Sequence, residues 1–387
     1  MMLIQNKSIA IVGGGPGGLT LARLLQLKGA NVNVYERDAD EYVRVQGSPL
    51  DLHTESGLAA LTEANLLNAF KENFLPGADR MIIIDQHATV LYSDHASKQH
   101  ENFGHEHFRP EIDRGALRKI LLDSLVHGTV IWGSHFVGME IRGEGWVLHF
   151  KNGVNVYADM VIAADGANSK IRPYITGIKP FYSGITMLEG TVYSPKVSTP
   201  NINALINGGK IMAFGKGENL LMGQKGNGEI GFYASFKTHE SWTTNSGLDF
   251  TDNLQVLNWF VERYSGWAGV WQELFANASA PFIPRPIYCA PTNQAWEAHT
   301  NITLLGDAAH VMPPFAGEGV NMAMLDALEL SRCLTSGNYS TLREAISGYE
   351  IEMRKRAAIA AKESLDNGEL MHSENALSAM LDVFSNH

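Results

Sequence analysis

The spacing of apolar residues changes period several times along the chain, and each change marks a predicted element. Ile9 to Val12 is a continuous apolar run of the kind a buried strand carries, and Leu19, Leu21, Leu24 and Leu25 follow it at helical spacing. Val32 to Tyr35 then reads as a second short strand, so the chain opens with a predicted strand, helix, strand unit. Residues 80–92, RMIIIDQHATVLY, read as a hairpin, and 109–125, RPEIDRGALRKILLDSL, as an extended entry into an amphipathic helix with Asp113 at its N-cap. From about 177 to 240 short alternating strands dominate, and KGNG at 225–228 is a hairpin turn rather than a phosphate loop. Residues 342–365 place Ala, Ile, Tyr and Met at helical spacing, which predicts a long helix. No repeat or low-complexity tract breaks this series.

Glycine falls where the first strand meets the first helix. Gly13, Gly15 and Gly18 fit G-x-G-x-x-G, and Glu36 lies 23 residues after Gly13, at the end of the second strand. Bare backbone permits a tight turn and close approach to a ligand, a helix N-terminus attracts phosphate, and an acid at that distance can hold ribose hydroxyls. A glycine-rich turn in another α/β fold explains the glycines but not the position of Glu36, so dinucleotide binding is favoured. A second motif, DMVIAADGANSKIR at 159–172, ends an apolar run at Asp165 and Gly166, with Ser169 and Arg172 beyond. Taken alone, an Asx-type turn capping the next segment explains it. The third, NITLLGDAAHVMPPFAGEGVNMAMLDAL at 301–328, gives a strand, Gly306 with Asp307, a turn stiffened by Pro313 and Pro314, then Gly317, Gly319 and Asn321 opening a helix. A helix N-terminus there would stabilise negative charge on a reduced isoalloxazine, while Asp307 accepts from ribityl hydroxyls.

Composition narrows the class. At 387 residues the chain holds roughly two to three domain-sized units. Hydrophobic residues make up 45% and charged residues 18%, a globular balance. A net charge of −11 argues against a general nucleic-acid or anionic-membrane binder and leaves a small-molecule partner. Cys289 and Cys333 form no C-x-x-C, so neither a disulfide framework nor a dithiol centre is indicated, which suits a cytoplasmic protein. Lys7 and the apolar run to Ala22 imitate a signal peptide, but the glycine pattern explains those residues better. No 18-residue apolar span appears, so no membrane span is expected.

The glycine pattern ending in Glu36, the Asp-Gly pair at 165–166 and the Gly-Asp pair at 306–307 together resemble the three signatures of group A FAD-dependent aromatic monooxygenases of the p-hydroxybenzoate hydroxylase type. The stretches VYERD, LDLH, RPEIDRGALRKILL and GDAAHVMPPFAGEGVN are similar to the tetracycline-inactivating branch, and the resemblance spans nearly the whole chain. It implies an α/β protein: a Rossmann-like FAD-binding domain (1–79, 101–176 and 295–341), an interleaved β-sheet substrate domain (80–100 and 177–294) and a bridging C-terminal helix region (342–387). It also implies non-covalent FAD, with Glu36 at the adenosine ribose and Asp165 between flavin and the nicotinamide path. Asp307 would hold the ribityl chain. Arg37, Arg114, Arg118, Pro314, Gly317, Gly319 and Asn321 join the cofactor side. NADPH would visit transiently to reduce FAD, and O2 would then form a C4a-hydroperoxide attacked by a phenolate or enolate carbon of an aromatic or polyketide substrate. No side chain is assigned as catalyst, because the flavin performs the chemistry, and a monomer is expected.

Phe315, Asn367 and Met371 fall at the implied substrate pocket, with Glu189, Lys210, Gly231 and Tyr233. Here the chain departs from the tetracycline-inactivating pattern, which carries glutamine, arginine and histidine where this chain has Glu189, Lys210 and Gly231. The readings in competition are oxygenation of a tetracycline-like polyketide, hydroxylation of another phenol or heteroaromatic, and a non-catalytic flavin sensor. His95, His100, His105 and His107, with Glu101 and Glu106 between them, read as a solvated loop rather than metal ligands. His310 reads as a structural hydrogen-bonding group, and Trp267 and Trp271 as core.

Overall fold

The computed structural model describes residues 3–43, 48–96, 103 and 108–385, and these form four sheets. One is wholly parallel. Its order is Ile302–Leu304 (β17), Met160–Ala163 (β11), Ser8–Val12 (β1), Asn31–Tyr35 (β2) and Val130–Ile131 (β7). The apolar runs that predicted β1 and β11 are buried along almost their whole length, as a parallel sheet covered on both faces requires. The helix Pro16–Leu27 packs between this sheet and the helix Gly319–Thr335, and together they enclose the largest core.

The second large sheet is mixed, in the order Ile283–Cys289 (β16), Phe181–Val192 (β12), Ile230–Lys237 (β15), Glu218–Gln224 (β14), Lys210–Phe214 (β13), Met81–Asp85 (β4) and Val90–Ser93 (β5). The predicted hairpins are β4 with β5 and β14 with β15, the latter closing through Gly228 N to Lys225 O at 2.8 Å. Alternation splits the sheet cleanly. Leu188, Leu220, Phe232, Ala234 and Phe236 enter an aromatic core that includes Trp267 and Trp271, and their neighbours in sequence face the other way. A three-stranded meander, Phe136–Arg142 (β8), Gly145–Phe150 (β9) and Asn155–Ala158 (β10), and a two-stranded pair, Leu50–Asp51 (β3) with Glu111–Ile112 (β6), complete the sheets.

The final long helix runs Leu342–Met371, six residues past its predicted end, and starts at a capping box in which Thr341 Oγ1 accepts from Glu344 N at 3.2 Å. Asp113 does occupy the N-cap position of Arg114–Asp123. Its carboxylate does not cap that helix, however, but accepts from Gly226 N at 3.1 Å, tying the helix start to the β14–β15 turn. No helix of the described residues is long and apolar enough to cross a membrane.

Candidate active site

Gly13 follows β1, Asp165 follows β11 and Gly306 follows β17, so the three motifs are the turns at the carboxyl ends of three adjacent parallel strands. The chain winds to either side of β1, and a sheet of this kind opens its crevice at that reversal. A Cβ on Gly13 would lie 2.1 Å from Ala164 O, and one on Gly18 would lie 2.1 Å from Gly13 O. Both glycines let backbone pass backbone. Gly15 differs, because nothing lies within 4 Å of its Cβ position and it opens the helix Pro16–Leu27. Open space beside unpaired helical N–H groups suits a phosphate.

Glu36 is almost fully buried and accepts from Gly14 N at 2.6 Å and Asp38 N at 3.0 Å, binding the end of β2 to the glycine loop. Arg37 is exposed. Buried Arg118 donates to Asp38 Oδ2 at 3.2 Å and stacks 5.3 Å from the Trp132 ring, while exposed Arg114 reaches Ser48 O at 3.1 Å.

Asp165 makes the local turn that its sequence allowed: Oδ2 accepts from Lys170 N at 2.8 Å, but Oδ1 is buried with no partner among the described residues. Burial pushes this carboxyl up against the pull of those bonds. Arg172 then joins the second motif to the third. Its guanidinium donates to Ala308 O at 3.0 Å, Ala309 O at 2.6 Å, Gln294 Oε1 at 2.7 Å and Ile178 O at 2.9 Å. Asp307 begins the turn so held. Its side chain is solvent-exposed, yet the density of protein around it raises its carboxyl against the pull of His310 and Arg114. His310 points inward to Asp326 Oδ2 at 2.5 Å, and the same oxygen accepts from Gly306 N at 3.0 Å, so this imidazole braces the turn.

Pro314 starts a single 3₁₀ turn, Gly317 closes it in the left-handed region at φ +70°, and Gly319 begins the next helix with open space at its Cβ position. Asn321, expected at the cofactor, is fully buried with its side chain engaged by its own chain. Its Oδ1 accepts from His53 N at 2.9 Å and Ser56 Oγ at 3.1 Å, and its Nδ2 donates to Asp51 O at 3.1 Å.

Glu189, Lys210, Gly231 and Tyr233 share the face of the mixed sheet turned away from its aromatic core. Phe315, Asn367 and Met371 come to that face. Asn367 Nδ2 donates to Phe315 O at 3.2 Å, and Met371 packs with Met81, Ile83 and Phe214. His372, one residue beyond the long helix, locks the arrangement by bonding Ser235 Oγ at 2.7 Å and Gly368 O at 2.7 Å, with its ring 5.5 Å from that of Phe315. Burial lowers its pKa to about 4.

Three of the positions expected at the substrate pocket carry chemistry that the sequence does not display. Glu189 is paired with Arg285 across β12 and β16. Gly231 is not an open gap, since a Cβ there would lie 2.7 Å from Ser48 Oγ. Lys210 is paired with Glu111, and Glu111 and Asp51 are directly opposed across β3 and β6. From Asp51 the charges continue to His53 Nε2 at 3.0 Å and from His53 Nδ1 to Glu318 at 3.3 Å. Burial opposes charge on His53, but these two carboxylates raise it to about 9. Burial works against Asp51 as well, yet His53 and Lys210 bring it down to about 2. Burial, with Asp51 alongside and against the pull of Lys210, pushes Glu111 up to about 7. Asp51, His53, Glu111 and Glu318 were not anticipated as site residues, although LDLH shows Asp51 and His53 at alternating positions, RPEID carries Glu111, and Glu318 stands between the two glycines that open the next helix. Of the histidine-rich loop, His100, Glu101, His105, Glu106 and His107 lie outside the described residues.

Residues 6–112 and 292–364 match the family described as FAD binding domain. The chain is 28% identical to monooxygenase penA of Penicillium thymicola, over 97% of this chain and 98% of that one. Its fold is shared by HpxO of Klebsiella pneumoniae, a structure complexed with FAD and uric acid, at TM-score 0.76 and 20% identity over 97% of this chain and 92% of that one. The fold is shared also by tetracycline destructase Tet(55), at TM-score 0.75 and 18% identity over 97% and 92% of the two chains.

Proposed function

We propose that this chain, an FAD-dependent aromatic monooxygenase, uses NADPH and O2 to hydroxylate a tetracycline-like polyketide and so inactivates the antibiotic. One observation supports the reading: the three motif turns sit side by side at the carboxyl ends of β17, β11 and β1, and Phe315, from the third of them, comes with Met371 to the sheet face bearing Glu189, Lys210 and Tyr233.

The residues fit FAD. Gly15 leaves room for a pyrophosphate at a helix N-terminus, Asp307 offers an acceptor for ribityl hydroxyls, and Gly317 with Gly319 opens a second helix toward the ring system. FAD, when bound, supplies the redox and oxygen-activating chemistry. This chain's contribution is position and exclusion. Arg172 and Asp326 hold the Asp307 turn still, Phe315 and Met371 keep water from one side, and Lys210 presents a cation to an acidic substrate hydroxyl. A tetracycline offers an enolised β-diketone as that group.

A second reading, hydroxylation of a different phenol or heteroaromatic, is favoured by the Glu189–Arg285 pair and by Ser48 lying over Gly231, which give the pocket its own charge and shape. The experiment is mass spectrometry of products from a panel of tetracyclines and phenols with NADPH and oxygen. Substrate-stimulated NADPH oxidation with a product heavier by one oxygen from a tetracycline supports the first reading, and the same from a phenol alone supports the second. NADPH oxidation unresponsive to every compound, with no hydroxylated product, would overturn both in favour of a flavin sensor.

A further inference from the structure

The string Glu318, His53, Asp51, Lys210, Glu111 crosses the molecule where the two large sheets meet. Glu318 precedes the helix that begins at Gly319, Asp51 and Glu111 come from the β3–β6 pair, and Lys210 comes from the pocket face of the mixed sheet. A side-chain carbon added at Gly317 would lie 3.5 Å from Asp51 Oδ1, so the string starts beside the turn assigned to the flavin. Side-chain exposure is 29% at Lys210, 20% at Asp51 and Glu318, 4% at His53 and 1% at Glu111, so Lys210 is both the most exposed member and the one carried by the pocket face of the mixed sheet.

The charges along the string alternate, and the last one is incomplete. Glu318 and Asp51 flank His53, and Lys210 lies between Asp51 and Glu111. Glu111 uses Oε1 for Lys210, while its Oε2 is buried and has no partner among the described residues. A buried carboxylate oxygen left without a donor is costly as an anion and is relieved by taking a proton. The groups facing Glu111 are Lys210 from β13, Asp51 from β3 and Asp79 from the segment before β4; two of these three disfavour its charge.

We propose that Lys210 and Glu111 form a two-proton relay that takes the acidic hydroxyl proton of an enol or phenol substrate, so that the substrate is bound as its anion. The two transfers are concerted: one Lys210 N–H bond breaks as an O–H bond forms on Glu111, and the electron pair so freed on Nζ takes the substrate proton as the substrate O–H bond breaks. Lys210 stays an ammonium, now facing the substrate oxyanion, and Glu111 becomes neutral, so no proton enters or leaves the protein. Asp51, held ionised by His53, favours return of Lys210 to the ammonium form. The relay selects against ligands without an ionisable hydroxyl, because these leave the Lys210 charge facing an apolar group. A carbon nucleophile is also stronger in the anion than in the neutral phenol or enol.

This inference rests on the monooxygenase reading and names the substrate class of the same pocket. The test uses oxidised holoenzyme without NADPH, so that no turnover occurs, and two probes whose absorbance separates neutral from ionised forms, tetracycline and 4-nitrophenol. Binding is followed in weak buffer with a pH indicator. With the parent enzyme at a pH where the probe is largely protonated in solution, the relay gives an anionic bound spectrum and no net proton release. Glu111→Gln, which keeps the shape and a hydrogen bond to Lys210, either releases about one proton per bound anion or binds the neutral form. Lys210→Met weakens binding of both probes by about tenfold or more. A neutral bound spectrum in the parent, proton release equal in the parent and Glu111→Gln, or failure of both probes to bind overturns the relay. Hydroxylated product in the mass-spectrometric panel alongside any of these results leaves the monooxygenase reading standing, and absence of product from every compound removes that reading separately.

Discussion

Two glycines of one motif should fail in opposite ways when each becomes alanine. At Gly18 the new Cβ would lie 2.1 Å from Gly13 O and 3.2 Å from Ala164 Cβ, so the helix Pro16–Leu27 must move off β1 and β11 by about the shortfall from an ordinary contact, roughly 1 Å. Overpacking against backbone costs about 3 kcal/mol, and the gain in helix propensity offsets about 1 kcal/mol, leaving a net loss of about 2 kcal/mol. With unfolding entropy near 2.1 cal/mol/K per residue, 387 residues give about 0.8 kcal/mol/K, so the apoprotein Tm falls by about 2–3 °C. At Gly15 the Cβ meets nothing, and apoprotein stability should hold or rise slightly. The loss appears only with cofactor, because the methyl occupies the space left for the pyrophosphate. FAD affinity should drop at least tenfold, and the Tm increment that FAD gives the parent should shrink accordingly. The assay is differential scanning fluorimetry of apoprotein and reconstituted protein, with FAD fluorescence titrations. A Gly15→Ala protein that binds FAD as tightly as the parent refutes the assignment of that space, and a Gly18→Ala apoprotein with unchanged Tm refutes the packing argument.

Asp307→Ala should leave the apoprotein fold intact, since no donor among the described residues is bonded to that carboxylate, yet weaken FAD retention about tenfold on gel filtration; undiminished retention would show that the side chain meets no ribityl hydroxyl. Stability should peak between the titrations of two buried histidines. His53 has its pKa raised to about 9, so its contribution is complete below about pH 6.5 and is lost as pH rises toward 9; His372 has its pKa lowered to about 4, so stability is lost as pH falls from about 6.5 toward 4. Each shift corresponds to an upper bound of about 3 kcal/mol. Urea titrations across pH should show His53→Gln flattening the alkaline limb and His372→Gln the acid limb, and unchanged limbs in both variants would contradict the burial argument. His372→Ala should cost about 2–4 kcal/mol by leaving Ser235 without its ring partner and opening a cavity beside Phe315; a loss below about 0.5 kcal/mol in urea unfolding would refute its locking role.

What was legible in the sequence was local. The first strand and helix, the hairpins and the three turns rest on periodicity and glycine placement within a few residues of one another, and the parallel sheet then brings those turns together. The pairings that give the proposed pocket its chemistry join distant residues: Glu189 with Arg285, Lys210 with Glu111, and Gly231 with Ser48. Nothing in the spacing along the chain announces them, and the strands that carry Asp51 and Glu111 are only two residues long, too short for a periodic signal. Asp113 illustrates the same limit, since its position at a helix start was readable while its true acceptor role, to Gly226, depended on the tertiary fold. Asn321 was placed in the right turn but its side chain is held by His53, Ser56 and Asp51, none of which is near it in sequence.

The strict alternation of the mixed sheet governs how this pocket can be altered. In Ile230–Lys237, Gly231, Tyr233 and Ser235 lie on the face of the proposed pocket while Phe232, Ala234 and Phe236 fill the aromatic core, so Gly231 and Tyr233, the positions proposed to meet substrate, are flanked by core residues. Exchanging one pocket residue for another leaves the core untouched. Inserting or deleting a single residue in the strand turns Phe232 and Phe236 outward and drives Tyr233 and Ser235 inward. The proposed pocket face is therefore open to point substitution, while changes in length are confined to the turns at the strand ends.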